Sequence, residues 1–428
     1  MKKIPLHSLI INIGPDSDVI IPSCKNYTKD YYISSGFQPH EIISICDIIE
    51  NICGDYRRYD FTNDAISILE KTVDFKLKNG EKIVIIGNFS LKSKRDVFTS
   101  IAKKYDVPVF YMIMDENLYN TEISYGRKQK ENFKNNMRSS IKGDGGIAIA
   151  IDSLSDTISA IKKIDGDDAL ESLKENKFYG ITSCGDIHGM HDLMLETLDW
   201  SIQRGHLFAT TGDFIDYGPS NMKCINTLYE RVIYGNAITT IGNHEKKIQK
   251  WIDLYENGVD YNSIMTLSDG NLVTINEFLN LSEKDFITMA TKFKTILNHA
   301  RHHYVFGSKL FVHAAAEPSM FKNTSPRLIG RLEVMALYGE IDPTNKKLEN
   351  GYPNRIYTWV DRIPEGKTVI VGHDIRSKKT IPKFTGELGG QAIFCDCGSG
   401  KGGSLGSCDL RFNDDKSDLD IINFNMRK

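Results

Sequence analysis

Five short motifs follow one another through the second half of this chain, each placed directly after an apolar run that reads as a β-strand. They are GDIHG at Gly185–Gly189, GDFIDYG at Gly212–Gly218, GNHE at Gly242–Glu245, VHA at Val312–Ala314 and VGH at Val371–His373. The runs that precede or enter them, YGITSC, LFATT, AITTI, KLFV and KTVIV, have the length and β-branched content of buried strands. Side chains displayed at the ends of neighbouring strands can converge on one point. Asp, Asn and His together offer the oxygen and nitrogen donors that suit Mn, Fe, Zn or a similar divalent ion, without the thiolates of a structural zinc site. The motif glycines permit tight turns beside such a centre. A lone GNHE carries little information, and a lone buried His more often packs a core. Five such elements in this order make a metal site the stronger reading.

With these residues in this order, roughly residues 175 to 412 resemble the calcineurin-like metallophosphoesterases, in particular their phosphoprotein-phosphatase branch. The resemblance implies an α/β fold, an αββα sandwich carrying two divalent metal ions, with Mn favoured and Fe, Zn, Ni or Co as other candidates. It implies that Asp186, His188 and Asp213 hold the first ion, that Asp213 bridges to the second, and that Asn243, His313 and His373 complete the second. Such a pair polarises a phosphoryl oxygen and activates water near neutral pH, so that no residue becomes phosphorylated. His244, beside Asn243, would then protonate the leaving oxygen, and Asp216 would orient its imidazole. The alternative reading of Asp216 is a turn-forming Asp.

One position departs from the family pattern. The usual motif is GDxxDRG, whose Arg forks onto two oxygens of a terminal phosphate; Tyr217 stands in that place. A phenol supplies no bidentate, charge-assisted bond. Either another arginine compensates, with Arg327, Arg331, Arg355 and Arg376 as candidates, or the substrate carries less charge at phosphorus, as a diester or cyclic phosphate does. The stretch Ser325–Pro343 and the run GYPNRIYTWVDRIPEGKTVIVGH resemble the phosphatase part of bacterial polynucleotide kinase-phosphatase. That narrower resemblance implies Arg355 as a phosphate clamp and Arg331 as its partner, against the alternative of ordinary surface arginines. It also expects an LYGE strand after Arg331, and places FCDCGSGKGG at the closing strand of the sheet.

The first half resembles a P-loop kinase without its chemistry. The apolar run Leu9–Ile13 leads into Gly14-Pro15, but Val19, Ile20 and Ile21 stand where the second Gly, the Lys and the hydroxyl of a phosphate loop belong. The expected catalytic Asp falls on Cys46, with Asp47 one place late, and Gly87 replaces a further Asp. A helix over Asn63–Gly80 with Ile66, Leu69, Val73 and Leu77 on one face, a strand KIVIIG, a helix near Arg95–Tyr105 and a strand VPVFYMIM follow. The basic stretch Arg127–Arg138 lies where a kinase lid would be. It could track a nucleic-acid backbone or form a solvated lid-like helix.

These readings predict a degenerate P-loop-kinase-like α/β domain over 1–165, an acidic linker over 166–177 and a metallophosphoesterase domain over 178–428. A net charge of -3 argues against a wholly basic nucleic-acid-gripping surface but allows a local basic cleft. No run approaches the roughly 18 apolar residues of a membrane span, and the N-terminus lacks a signal-peptide core. The eight scattered cysteines suit reduced thiols in the cytoplasm. The helical span between Lys246 and His303 is expected to form a cap, with His302 and His303 as cap residues. The expected function is removal of a 3'-, 2'- or 2',3'-cyclic phosphate from a nucleic-acid end. Alternatives are a protein Ser/Thr phosphatase, a hydrolase of nucleotides or other phosphorylated small molecules, or a binding module that recruits a protein partner through its N-terminal domain.

Overall fold

The computed structural model describes residues 2–13, 22–56, 58–87, 89, 91–114, 141, 145–151, 158–164, 169–344 and 354–428. The chain divides into two compact units, Met1–Lys162 and Lys163–Lys428. In the first, five parallel strands lie in the order Ile42–Ser44, Ile83–Gly87, Leu9–Ile13, Val109–Met114, Ile147–Ile151. Leu9–Ile13 is central and buried along its whole length, which is why it reads as an uninterrupted apolar run rather than an alternating one. The helix Thr62–Lys78 buries Ala65, Leu69, Val73 and Leu77, so the inward stripe begins one residue earlier than Ile66. Cys46 is buried on the helix Ile45–Cys53, and Asp47 on the same helix pairs with Lys29. The phosphate-loop position at 14–21 and the basic stretch at 127–138 lie outside the described residues.

The second unit is built on two facing sheets. One has the order Ala237–Thr239, His206–Thr210, Gly180–Cys184, Ser404–Phe412, Asp396–Cys397, with Leu419–Arg427 also paired to Ser404–Phe412. The other runs His303–Phe306, Lys309–Val312, Thr368–Val371, Gln391–Phe394, Lys383–Thr385. Side chains alternate across each strand and so feed two cores. Phe311, Ile370 and Ile393 pack between the sheets with Ile181, Leu207 and Ala209. Their neighbours Leu310, Val312, Val369, Val371 and Phe394 face outward, where Met335 and Trp359 of the helices Arg331–Tyr338 and Thr358–Asp361 cover them. Cys184 and Phe208 of the first sheet meet a third core with Trp251, Phe278 and Phe293, from the helices Asn243–Glu256, Asp269–Leu279 and Glu283–His299. The layers are therefore helix, sheet, sheet, helix.

Three local expectations are corrected. The acidic junction is not a plain linker: Ala169–Glu175 is a helix whose Ala169 and Leu173 enter the inter-sheet core, because its polar sequence still carries an i, i+4 apolar pair. Leu337 and Tyr338 end a helix, and of the LYGE segment only Glu340 is strand, in the short strand Glu340–Ile341, since Gly339 with φ of 79° stops the helix there. The long cap helix closes at His299, and His303 opens a strand. His302 and His303 are indeed packed structurally: His302 Nδ1 accepts from Leu328 N at 2.9 Å, and His303 Nε2 lies 2.8 Å from Asn323 O.

Candidate active site

All five motifs, and Asp396 with them, lie at the carboxyl ends of parallel strands in the two sheets, the edge at which α/β sheets assemble ligand sites. Close approach explains two of the glycines. A Cβ on Gly372 would lie 2.1 Å from Asp186 Oδ1, and one on Gly242 would lie 2.0 Å from Asp213 Oδ1. His188, Asp213, Asp216, Tyr217 and His373 all have φ between 47° and 77°. Such backbone costs about 1 kcal/mol or more per residue and persists only where the surroundings over-determine it. Five of the eight described non-glycine residues with positive φ thus belong to this one site.

The structure brings the six sequence-predicted metal-site residues together. Donor atoms of His188, Asp213 and His244 lie within 4.8 Å of one another, as do those of Asp213, His313 and His373, so Asp213 is common to both clusters. Asp186 Oδ2 is 3.7 Å from His188 Nε2, and Asn243 Oδ1 is 3.0 Å from His313 Nε2. His188 Nδ1 lies 2.9 Å from Ile215 O and His313 Nδ1 lies 2.7 Å from Thr211 O, which leaves each Nε2 as the inward donor. Burial pushes the His188 imidazole down to about 3, and burial with the neighbouring His313 holds His373 well below the ordinary range, so both offer neutral lone pairs. Burial, reinforced by the Asp396 and Asp213 carboxylates, raises Asp186 well above the usual range. Asp186 Oδ2, His373 Nε2 and Asp396 Oδ2 are buried without a hydrogen-bond partner among the described residues. Crowded carboxylates, neutral imidazoles and unpartnered oxygens are a donor set that divalent cations fit.

His244 and Asp216 form a second, connected unit. Asp216 is fully buried; its Oδ2 lies 2.5 Å from His244 Nδ1 and accepts from Asn271 Nδ2 at 2.5 Å, while Oδ1 accepts from Thr274 Oγ1 at 2.5 Å. Burial works against the imidazolium, but the Asp213 charge and the Asp216 bond outweigh it and raise His244 above its ordinary value. Asn271 and Thr274 sit on the cap helix Asp269–Leu279, which gives that helix a role in fixing the Asp216 carboxylate.

Glu245 was visible in the GNHE motif, but nothing in its spacing suggested its role. Its fully buried carboxylate accepts from the backbone N–H groups of Gly242, Asp213 and Phe214 at 3.0, 2.8 and 2.9 Å, tying two motif loops into one frame.

The predicted arginines separate. Arg355 lines a cavity of about 560 Å³ over the donor cluster, where Nη1 donates to Asp374 Oδ1 at 2.5 Å and Nε has no partner among the described residues. Arg376 lines it too, 4.1 Å from the Tyr357 ring centroid. Arg331 does not: its side chain is 77% exposed and pairs with Glu317 at 3.0 Å, because it occupies the solvent side of its helix. Arg327 instead donates to the carbonyls of Leu297 and Ala300 at the end of the helix Glu283–His299. A cation that sequence reasoning missed, Lys401, also lines the cavity. The only sequence signal for it was a lysine among glycines in GSGKGG.

Clustered hard donors at strand ends, with an imidazole–carboxylate pair and a cationic cavity beside them, define a metal-dependent phosphoester hydrolase. The calcineurin-like phosphoesterase family profile matches residues 180–375, and this part of the chain is a calcineurin-like metallophosphoesterase domain. An asymmetrical bis(5'-nucleosyl)-tetraphosphatase from Anoxybacillus flavithermus is 25% identical over 201 residues, 44% of this chain and 76% of that protein. Among solved structures, a candidate diadenosine tetraphosphatase aligns at 17% identity and TM-score 0.38 over 59% of this chain and 96% of its own. A protein serine/threonine phosphatase from Saccharomyces cerevisiae with similarity to human phosphatase PP5 aligns at 17% identity and TM-score 0.35, over 60% and 82%. Among the described residues no helix is long and apolar enough to cross a membrane.

Proposed function

We propose that the second unit removes a phosphoester from a nucleic-acid end, a 3'-, 2'- or 2',3'-cyclic phosphate. The observation that carries this reading is the cavity wall. Lys247, Arg355, Arg376 and Lys401 supply positive charge around the donor cluster, and Tyr217 and Tyr357 supply aromatic faces beside it. That combination suits a phosphate joined to a sugar and base. Asp186, His188 and Asp213 would hold one divalent ion, and Asp213, Asn243, His313 and His373 the other, with Mn the favoured metal. Bound there, the ions would supply Lewis-acid polarisation of a phosphoryl oxygen and activation of water at neutral pH. The chain's own residues do the rest. Arg355, steadied by Asp374, binds and orients the phosphate. His244 carries its proton on Nδ1 against Asp216 and on Nε2 toward the leaving oxygen, and Asp216 keeps that imidazole charged and correctly turned. Glu245 holds the Asp213 and Asn243 loops in register for this.

A second reading, hydrolysis of a dinucleoside polyphosphate, is favoured by the 25% identity to a bis(5'-nucleosyl)-tetraphosphatase. Mn-dependent hydrolysis of RNA oligonucleotides ending in 3'-phosphate, 2'-phosphate or 2',3'-cyclic phosphate, with diadenosine tetraphosphate and a phosphopeptide in parallel and D213A as control, tests both. Preference for an RNA end supports the first reading. Cleavage confined to diadenosine tetraphosphate replaces it with the second, and activity on the phosphopeptide alone removes both.

For the first unit we propose a kinase-like fold without nucleotide chemistry, whose remaining job is positioning substrate or a protein partner. Its all-parallel sheet, with the first strand central, supports the fold, and Val19, Ile20 and Ile21 in place of a phosphate loop support the loss. Titration of the full chain with Mg-ATP is expected to give no saturable heat from that unit; saturable binding that survives D213A would overturn it.

A further inference from the structure

We infer that Lys401, presented by the glycine loop Gly398–Gly403, is a second phosphate-binding cation of this site beside Arg355 and stands in for the arginine that Tyr217 replaces. The loop is shaped to deliver it. Gly398, Gly400 and Gly402 have φ of 82°, 70° and 75°, and a Cβ on Gly400 would lie 2.8 Å from both Cβ and O of His188. Only a glycine lets this turn rest on the GDIHG motif, and the residue between the last two glycines then points into the cavity. Lys401 Nζ lies 4.3 Å from the centroid of the Tyr217 ring and 2.9 Å from His188 Nε2, the nitrogen a metal ion would take, so with a metal bound its remaining seat is the Tyr217 ring. This puts the positive charge beside the donor set, with an aromatic face as its seat.

Tyr217 is itself fixed for this purpose. Its backbone has φ of 63°, its ring stands 4.9 Å from that of His188, and a Cβ on Gly270 of the cap helix would lie 2.7 Å from it. Arg355 is steadied by the Asp374 carboxylate and Arg376 lies over the Tyr357 ring, and for neither is a contact with the Tyr217 ring recorded. Among the described residues no carboxylate forms an ion pair with Lys401. An ammonium is a point charge that bonds one oxygen at a time, whereas a guanidinium forks onto two. The Tyr217–Lys401 pair therefore demands less of a terminal, doubly charged phosphate than the arginine would, and it accommodates a diester. This inference rests on the phosphoester-hydrolase reading of the site, not on the choice of substrate.

The test is calorimetric titration of inorganic phosphate into the Mn-loaded full chain, with metal content measured in every variant. K401M is expected to weaken phosphate binding about ten- to a hundred-fold, the loss of one charge-assisted contact, with metal content unchanged. Y217R/K401M is expected to recover most of that loss and to shift kcat/KM toward p-nitrophenyl phosphate over bis(p-nitrophenyl) phosphate by about ten-fold. Unchanged phosphate affinity in K401M, a loss of metal in place of a loss of phosphate, or a double variant no better than K401M overturns the assignment. Lys401-dependent phosphate binding in a chain that cleaves no RNA end leaves the assignment standing and removes the nucleic-acid reading.

Discussion

Replacing Asp216 by Asn isolates the charge behind His244 with little change of shape. The native carboxylate is fully buried and takes three short contacts of 2.5 Å, from His244 Nδ1, Asn271 Nδ2 and Thr274 Oγ1. In D216N the amide oxygen can keep the His244 and Asn271 contacts, and the amide NH2 can donate to the Thr274 hydroxyl, which rotates to accept. Each hydrogen bond survives in number, but none is charge-assisted, so folding stability should fall by only about 1–2 kcal/mol. The catalytic loss should be far larger. Without the carboxylate the imidazolium loses its counter-charge, and a misprotonated general acid typically costs about 10²–10⁴ in rate. The assay is Mn-dependent turnover of phenyl phosphate and p-nitrophenyl phosphate by D216N, with metal content determined in the same samples. A phenolate leaves poorly unless protonated, whereas a nitrophenolate leaves unaided. The expected outcome is a kcat reduction of about 10²–10³ on phenyl phosphate and no more than about ten-fold on p-nitrophenyl phosphate, at unchanged KM and unchanged metal content. Equal losses on the two esters would refute leaving-group protonation by His244. Loss of metal from D216N would refute the assigned role of Asp216 and make it a support of the metal shell.

Gly372→Ala should lower metal content and activity together, because its Cβ would fall 2.1 Å from Asp186 Oδ1; full metal content by emission spectrometry would contradict that packing argument. Arg355→Ala should raise KM at least ten-fold by removing a cavity-lining phosphate contact, while R331A stays within about two-fold of the parent, since its side chain is solvent-facing. Stability should fall on mild acidification. Burial holds the His302 imidazole down to about 4 in the fold, while the unfolded chain protonates near 6.5, so its contribution is complete above pH 6.5, declines as pH falls toward 4 and is constant below that. Thermal unfolding between pH 7 and 4, compared with His302→Asn, which keeps an acceptor near Leu328 N, should show a shallower slope in the variant; identical slopes would remove His302 as a contributor.

The strand-end logic that made the metal cluster legible works because each donor sits within four residues of its own strand. Asp186 and His188 follow Gly180–Cys184, Asp213 follows His206–Thr210, Asn243 follows Ala237–Thr239, His313 comes directly after Lys309–Val312, and His373 comes one glycine after Thr368–Val371. Periodicity locates those strands, and parallel pairing then brings their carboxyl ends together. What stayed hidden depended on contacts that no local pattern encodes. The cap helix Asp269–Leu279 reads as an ordinary amphipathic helix, yet its Asn271 and Thr274 reach a carboxylate more than fifty residues earlier in the chain. Arg355 as clamp and Arg331 as its partner looked like a pair in sequence, but Arg331 lies on the solvent side of its helix while Arg355, on the short strand Arg355–Ile356, lines the cavity.

Tyr217 is the sharper case, because the sequence posed the problem of a missing arginine without holding its answer nearby. The sequence offers Arg327, Arg331, Arg355 and Arg376 as compensating cations, or a substrate with less charge at phosphorus. The cation 4.3 Å from the Tyr217 ring is instead a lysine 184 positions further along the chain, brought back by a loop that only glycines allow. A departure from a motif is therefore better read as a change in which element supplies the charge than as a loss of it. In this fold the glycine loop that closes the first sheet is the element positioned to do so, because it rests directly on His188.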